Sequence, residues 1–335
     1  MYVLVILIII LFLPQAYYLW KNKNYRDIYN NNRVLLDEEV KLSDNISDIS
    51  IIGADGFSIK AKKYHLDNPK AVVQIVHGML EHKENYIDFI EYLRDKGYAV
   101  FIEDNRGHGR SVSEKYPAGF IGHTDELIFD QYCLNSYIRK IYPGKKIYMV
   151  GHSMGSMIAR DFLMDYDKFI DKLVLSGTVA YIPISGFGVF LGNILCFYLG
   201  EKRKSIILDK LSGIDLNDST WISYNEENVN TKRQDSLRLK RFLAKANTVL
   251  FDLNWRLARV NRYKNSNKDL KILSVTGVDD PVTGGQKGLR KTVELLKKNG
   301  YRDIENIVYP NMKHEVLNEN NKNLVYDKII EFFEN

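Results

Sequence analysis

The chain has 335 residues, of which 45% are hydrophobic and 27% charged, and it carries a formal net charge of +5. This length can bury a large core, and this balance excludes an intrinsically disordered chain. Because 42 acidic residues are interspersed with the lysines and arginines, we expect no surface for nucleic acid. The two cysteines, Cys133 and Cys196, lack the spacing of zinc ligands, so neither a disulfide framework nor a metal site is expected.

The first twenty residues contain no charged side chain and are mostly aliphatic or aromatic. This is about the length that a membrane-spanning helix needs. No basic side chain precedes the apolar run, and residues 13–16 make a poor cleavage site, which favours an uncleaved signal anchor over a secretory signal. Because Lys21, Lys23 and Arg26 follow, the positive-inside rule places the rest of the chain in the cytoplasm. A helix buried in the protein core is the remaining alternative.

Residues 21–48 are polar and rich in asparagine, which predicts a tether between this membrane helix and a folded domain. The pattern changes at residue 49. Two β-rich runs, at 49–52 and 57–64, flank an Asp-Gly pair and predict a hairpin. We therefore expect the folded domain to occupy residues 49–335.

Short apolar runs in this domain alternate with helical patterns. Strands are predicted at 71–76, 98–102, 146–150, 172–176, 271–276 and 304–309, and helices at about 86–96, 125–141, after 153, 285–299 and 323–333. The alternation predicts an α/β fold with a mostly parallel central sheet and helices on both faces. It is interrupted between about residues 181 and 262, which we interpret as an inserted, mainly helical cap.

The segment Gly151-His152-Ser153-Met154-Gly155 has the pattern G-x-S-x-G between a predicted strand and a predicted helix. A sharp turn at this place presents the serine hydroxyl at the carboxyl end of the sheet, and the glycines avoid clashes with the neighbouring strand and helix. Ser153 is therefore the predicted nucleophile.

A nucleophilic serine needs a base, and the base needs a carboxylate that orients it. In this kind of fold the three residues follow in the order serine, acid, histidine. His314 is the only histidine after Ser153, and it follows the last predicted strand. Asp279 and Asp280 follow the strand at 271–276, and only one of them can face the histidine. We prefer Asp280, with Asp279 as the alternative.

The oxyanion of a tetrahedral intermediate needs backbone N–H donors. The expected donors are the residue after the nucleophile, Met154, and Met79 in the loop after the strand at 71–76. His77 is expected to form hydrogen bonds within this loop and not to transfer protons. The glycine-rich loop at 104–111 lacks the spacing of a phosphate-binding loop, so we expect it to be structural.

These motifs resemble those of monoacylglycerol lipases and lysophospholipases, which are α/β-hydrolases grouped with serine aminopeptidases of the S33 type. The resemblance rests on His77-Gly78-Met79, Glu81-His82, and residues 104–111, 151–155, 221–225, 279–282 and 313–319. It covers about residues 50–335, so the apolar N-terminus and the tether lie outside it. It implies the α/β-hydrolase fold, the triad Ser153, Asp280 and His314, the oxyanion donors Met79 and Met154, and a lipid monoester as substrate.

The expected activity is hydrolysis of a single-chain lipid ester, a lysophospholipid or a monoacylglycerol, without metal or organic cofactor. The apolar stretch at 181–199 of the cap either lines an acyl groove or packs over the core. An aminopeptidase on the same scaffold would need an anionic pocket for the substrate amino group, and Glu226 and Glu227 keep this alternative open. A membrane-anchored binding protein without activity is a third alternative, which the complete set of catalytic residues disfavours.

Overall fold

The structure is a computed structural model that describes residues 2–23, 35–53, 55–212 and 219–335. Its strands are β1 Leu35–Ser43, β2 Ile46–Ile52, β3 Ser58–Tyr64, β4 Val72–Val76, β5 Ala99–Glu103, β6 Ile147–His152, β7 Lys172–Ser176, β8 Lys271–Gly277 and β9 Ile304–Tyr309. Its α-helices are α1 Tyr2–Lys23, α2 Ile87–Asp95, α3 Thr124–Ile141, α4 Met154–Tyr166, α5 Ser185–Leu199, α6 Ile206–Leu211, α7 Glu226–Gln234, α8 Ala244–Arg256, α9 Gly285–Lys298 and α10 Lys322–Glu334.

One sheet in the order β1-β2-β3-β5-β4-β6-β7-β8-β9 runs through the molecule. The pairs among β1, β2, β3 and β5 are antiparallel, whereas β5, β4, β6, β7, β8 and β9 pair in parallel. Strands β4 to β7 are buried at every position, as expected for a parallel sheet with both faces covered. The predicted α/β fold with a mostly parallel sheet is confirmed.

The core lies in two layers, one on each face of the sheet. Leu134 of α3 and Phe162 of α4 pack with Met149 of β6 on one face. Phe89 of α2 and Ile329 of α10 belong to the apolar cluster on the other face. The carboxyl ends of the parallel strands meet at one edge of the sheet, where ligand sites of such sheets lie.

The antiparallel end of the sheet differs from the prediction in one respect. Strands β2 and β3 form the predicted hairpin, but β1 pairs with β2 and so places residues 35–43 of the predicted tether in the sheet. Most side chains of β1 are exposed, for example Val40, so this edge strand carries no apolar alternation that would reveal it. Residues 24–34 of the predicted tether lie outside the described residues.

Helices α5 to α8 lie between β7 and β8, in the stretch predicted to be a cap. Helices α5 and α8 pack closely because glycines face the partner helix. A Cβ atom on Gly188 would lie 2.6 Å from the ring of Phe251, and one on Gly192 would lie 2.3 Å from Thr248 Oγ1. Larger residues at these two positions would separate the helices.

Helix α1 lies against the cap. Gln15 Nε2 donates a hydrogen bond to the Phe190 carbonyl oxygen at 2.9 Å, and Lys21 Nζ lies 2.7 Å from Glu201 Oε1. In the described parts of the chain, no helix has both the length and the apolar character required to cross a bilayer. The predicted membrane anchor, and the membrane localisation and orientation derived from it, are therefore wrong. The polar contacts of its second half tie α1 to the protein.

Candidate active site

The turn between β6 and α4 holds Ser153 in a strained conformation, with φ 53° and ψ −118°. A Cβ atom on Gly151 would lie 2.5 Å from the Gly155 carbonyl oxygen, and one on Gly155 would lie 2.1 Å from the Val76 carbonyl oxygen. Only glycine fits at both positions. The G-x-S-x-G pattern thus folds into the sharp turn that the sequence predicts, and Ser153 lies at the carboxyl end of the sheet.

Three of the predicted side chains meet at this edge. His314 Nε2 lies 2.8 Å from Ser153 Oγ, and His314 Nδ1 lies 3.0 Å from Asp280 Oδ2. Burial alone lowers the pKa of a histidine, but the charge of Asp280 and its hydrogen bond raise the pKa of His314 above its ordinary value. The arrangement can move a proton from the serine hydroxyl to an imidazole that a carboxylate orients.

The two neighbouring aspartates have different surroundings. Asp280 is buried, and its Oδ1 accepts a hydrogen bond from the Val282 N–H at 3.0 Å, which fixes the carboxylate towards His314. Asp279 is exposed, and its Oδ2 accepts a hydrogen bond from the Tyr224 hydroxyl at 3.0 Å. The structure therefore brings Asp280, and not Asp279, to the histidine.

Both residues predicted to supply oxyanion donors lie near the nucleophile. Met154 is the first residue of α4, and Met79 follows β4. The loop that carries Met79 approaches the nucleophile closely, since a Cβ atom on Gly78 would lie 3.0 Å from the Ser153 Cβ. Met79, Ser153 and Met154 line the same cavity.

His77 fixes this loop. It is fully buried, its Nε2 accepts a hydrogen bond from the Asn105 N–H at 2.8 Å, and its Nδ1 lies 2.8 Å from the Gly78 carbonyl oxygen. Because burial lowers the pKa of His77, the neutral ring with a proton on Nδ1 satisfies both contacts. His77 thus has the bonding within the loop that the sequence predicts.

The glycine-rich loop at 104–111 is a network of buried ion pairs. Asp104 binds the Lys83 ammonium at 2.5 Å. The Arg106 guanidinium binds Asp130 with two hydrogen bonds, of 2.9 and 2.6 Å, and Asp55 with one of 2.5 Å. These buried contacts are consistent with the structural role that the sequence predicts for the loop.

A cavity of about 1130 Å³ opens at Ser153. Its lining is mostly apolar and includes Met79, Met157, Val179, residues 181–184, Leu211, Trp221, Leu250, Phe251 and Val282. Lys287, Arg290 and Lys291 of α9 also line it, together with Glu294. The start of the apolar cap stretch therefore lines the cavity, whereas Gly188 and Gly192 further along pack against α8.

Two features of the site were not predicted from the sequence. The indole of Trp221 lies against the ring of His314, with 5.0 Å between ring centroids. Lys232 of the cap is buried between two carboxylates, 3.0 Å from Glu81 Oε2 and 2.6 Å from Glu315 Oε1. A sequence signal exists for Glu81 and Glu315, because they lie next to the predicted oxyanion donor and the predicted base. Lys232 has no such signal, because it belongs to a charged helix whose sequence is typical of a solvent-exposed helix.

Burial raises the pKa of a carboxyl group, but the Lys232 ammonium, together with hydrogen bonds from Tyr86 to Glu81 and from Asn228 to Glu315 and with nearby histidines, outweighs this effect. The pKa of Glu81 and that of Glu315 are therefore held below the ordinary value. The pKa of Lys232 is in turn raised, because the two carboxylates outweigh the effect of its own burial. All three groups are therefore charged at neutral pH.

The sheet, the serine turn and the adjacent histidine define this chain as an α/β-hydrolase. A family model described as serine aminopeptidase, S33, matches residues 67–321, and the chain belongs to this family.

Curated relatives include a monoacylglycerol lipase of Mycolicibacterium smegmatis, 26% identical over 86% of this chain and 97% of the relative. A monoglyceride lipase homolog of Monkeypox virus is 24% identical over 73% of this chain and 91% of the relative. Human monoglyceride lipase is 30% identical over 56% and 59% of the two chains. Because the chain is similar to these lipases, it is a lipase- or esterase-type hydrolase of carboxylic esters.

Solved structures support the fold. A carboxyl esterase from Bacillus coagulans superposes with a TM-score of 0.76 at 24% identity, over 87% of this chain and 99% of that one. The monoacylglycerol lipase of Paleococcus ferrophilus superposes with a TM-score of 0.63 at 22% identity, over 82% and 97% of the two chains. At these identities the likeness establishes the α/β-hydrolase fold.

Proposed function

We propose that this enzyme hydrolyses the ester of a single-chain lipid, a monoacylglycerol or a lysophospholipid, through an acyl-enzyme on Ser153. The observation that carries this proposal is the 2.8 Å contact between Ser153 Oγ and His314 Nε2 at the wall of a large apolar cavity. Sites for drug-sized ligands measure about 300–1,000 Å³, so a cavity of about 1130 Å³ has room for one acyl chain.

The proposed reaction has two steps. In the first, His314 Nε2 takes the proton of the Ser153 hydroxyl while the serine oxygen attacks the ester carbonyl, and Asp280 stabilises the imidazolium. The backbone N–H groups of Met79 and Met154 donate to the oxyanion, and the imidazolium then protonates the leaving alcohol. In the second step, His314 activates a water molecule that releases the fatty acid.

The aminopeptidase alternative requires an acidic group that is free to bind the amino group of a substrate. Glu226 and Glu227 are exposed at the start of α7. Glu294 lines the cavity but already pairs with Lys291 and Lys298. Among the described residues that line the cavity, the other side chains are mostly apolar, with a few neutral polar groups and three cations, which favours a lipid ester over an amine. A binding protein without activity would have no need for the hydrogen-bonded serine and histidine.

The test compares purified enzyme with Ser153→Ala on monoacylglycerols, lysophospholipids, short aryl esters and aminoacyl amides. We expect the enzyme to cleave the lipid esters, and the variant to lose turnover while its circular dichroism spectrum is unchanged. A phosphonate ester should label Ser153, as detected by peptide mass spectrometry. Retained turnover in a folded Ser153→Ala variant, or cleavage of amides alone, would refute the proposal.

A further inference from the structure

The loop that carries Met79 is contacted by one segment of the cap. We define the oxyanion loop as residues 77–82 and the clasp segment as residues 232–239. We propose that the clasp segment positions the oxyanion loop for reaction, with Lys232 and Asp235 as positioning residues. This inference rests on the proposed function, because it assigns Met79 N–H to the oxyanion.

The backbone of the oxyanion loop is strained next to Met79. Leu80 has φ 64°, in the left-handed region that a side chain other than glycine rarely adopts. The Leu80 carbonyl oxygen accepts a hydrogen bond from the Leu239 N–H at 2.9 Å. A strained backbone conformation persists only when the surrounding structure stabilises it. Here the hydrogen bond from Leu239 of the cap stabilises Leu80.

The carboxylate of Glu81 closes the loop around Met79. Its Oε1 accepts hydrogen bonds from the Gly78 N–H and the Tyr86 hydroxyl, each at 2.5 Å, and its Oε2 binds Lys232 at 3.0 Å. Gly78 and Glu81 flank Met79 on both sides, so this carboxylate fixes the direction of the peptide groups between them. Without Lys232, Glu81 would be a buried charge without a counter-charge, which favours protonation or withdrawal to water.

A second side-chain contact joins the same two segments. His82 Nε2 lies 2.6 Å from Asp235 Oδ2. Together with the contacts of Leu80 and Glu81, three consecutive residues of the oxyanion loop are bound by the clasp segment. A cap that only covers the core does not need polar contacts with three consecutive residues of one loop.

The same ammonium reaches the other side of the site. Lys232 Nζ lies 2.6 Å from Glu315 Oε1, and Glu315 follows His314 directly. The Glu315 N–H donates to the carbonyl oxygen of Ile222, also in the cap, at 2.9 Å. The docked cap therefore holds both the loop of the second oxyanion donor and the loop of the base, and an undocked cap would release both.

The test uses Lys232→Met and Asp235→Ala, with Arg233→Met as the matched control. Arg233 is an exposed cation on the same helix as Lys232. The kcat and KM are measured with a short aryl ester, which does not require the acyl cavity. Removal of one oxyanion donor typically lowers kcat by about 10²–10³-fold, so we expect a misplaced donor to lower kcat by about 10–100-fold with little change in KM.

A second measurement separates positioning of the oxyanion loop from a purely structural role of Lys232 and Asp235. A trifluoromethyl ketone mimics the tetrahedral intermediate. In both variants its inhibition constant should rise by the factor by which kcat/KM falls, whereas the affinity for a fatty alcohol should be unchanged. If kcat and ketone affinity in both variants equal those of Arg233→Met, the inference is wrong. Should Lys232→Met fail to fold, Asp235→Ala decides the question alone, because the Asp235 side chain is only partly buried.

Labelling of Ser153 by a phosphonate tests the positioning role separately from the proposed lipid substrate. The rate at which a phosphonate labels Ser153 also depends on the oxyanion donors, and it requires no turnover of a lipid. We expect both variants to be labelled at least about tenfold more slowly than the control. Equal labelling rates would overturn the positioning role even where the wild-type enzyme cleaves lipid esters.

Discussion

Replacement of Asp280 by asparagine tests the proposed acid with almost no change of shape. The asparagine amide group can donate to His314 Nδ1, where the carboxylate accepts at 3.0 Å. The ring would then carry its proton on Nε2 and could no longer accept the proton of Ser153 Oγ. In serine hydrolases this substitution lowers kcat by roughly 10⁴-fold. At about 1.36 kcal/mol for each factor of ten, the loss is about 5.4 kcal/mol of transition-state stabilisation.

Asp279→Asn is the matched control for this prediction. Asp279 is exposed, and an asparagine oxygen can still accept the hydrogen bond from Tyr224. We expect a change in kcat of no more than about twofold, within the range of surface substitutions. The assay is kcat and KM on an aryl ester, with thermal melts to show that both variants fold. Equal losses in the two variants, or a loss below about tenfold in Asp280→Asn, would refute the assignment of Asp280.

The pH profile gives an independent measure of the same contact. His314 must be neutral to accept a proton, so kcat/KM falls as the pH drops through the pKa of His314. Asp280 raises this pKa, so the acidic midpoint lies above the ordinary histidine value of about 6.5. In Asp280→Asn the residual activity should show a midpoint at lower pH, because the charge that favours the imidazolium is lost. An unchanged midpoint would mean that the titrating group is not His314.

Two further predictions concern stability and substrate preference. Arg106→Met leaves two buried carboxylates without their cation and should lower the free energy of unfolding by about 3–5 kcal/mol in urea denaturation, whereas the exposed control Arg110→Met should lower it by less than about 1 kcal/mol. Lys287→Glu with Arg290→Glu should lower kcat/KM for an anionic lysophospholipid at least about threefold relative to a monoacylglycerol, and more so at low salt. Lys297→Glu on the same helix is its control, and equal ratios in both variants would contradict this prediction.

Much of the site follows from the sequence because local sterics dictate it. The serine turn needs glycine at 151 and 155, and the required order of residues leaves His314 as the sole base. The choice between Asp279 and Asp280 needed the structure, because the two are adjacent and only the backbone direction separates them. Catalytic roles for these residues stay predictions until the variants are measured.

The clasp segment could not be predicted from the sequence. Lys232 and Glu81 are separated by 151 positions, and a lysine in a charged helix has the same pattern whether it faces water or a buried carboxylate. Only the packing of the cap on the sheet brings the two together. The pairing of β1 with the sheet escaped prediction for a related reason, since an exposed edge strand needs no apolar alternation.

Helix α1 shows a different limit of sequence reasoning. Its apolar composition predicts a helix, and a helix is found at Tyr2–Lys23. Its composition does not determine whether the helix contacts lipid or another part of the protein. Its contacts with the cap depend on Gln15, Lys21 and the buried Tyr18, whose partners lie more than 170 positions away in the chain. Lys21, which the sequence pattern relates to membrane orientation, pairs with Glu201 of the cap in the structure.

The long chain separation within the site also bears on how the enzyme is made. Ser153 and His314 are 161 positions apart, and His314 follows the last strand of the sheet. During synthesis from the N-terminus, the serine turn is complete long before His314, its proposed base, leaves the ribosome. Contacts of such range form slowly, after the intervening chain has closed. Under the proposed mechanism, the nascent chain cannot hydrolyse esters until β9 has joined the sheet and the loop after it has brought His314 to Ser153.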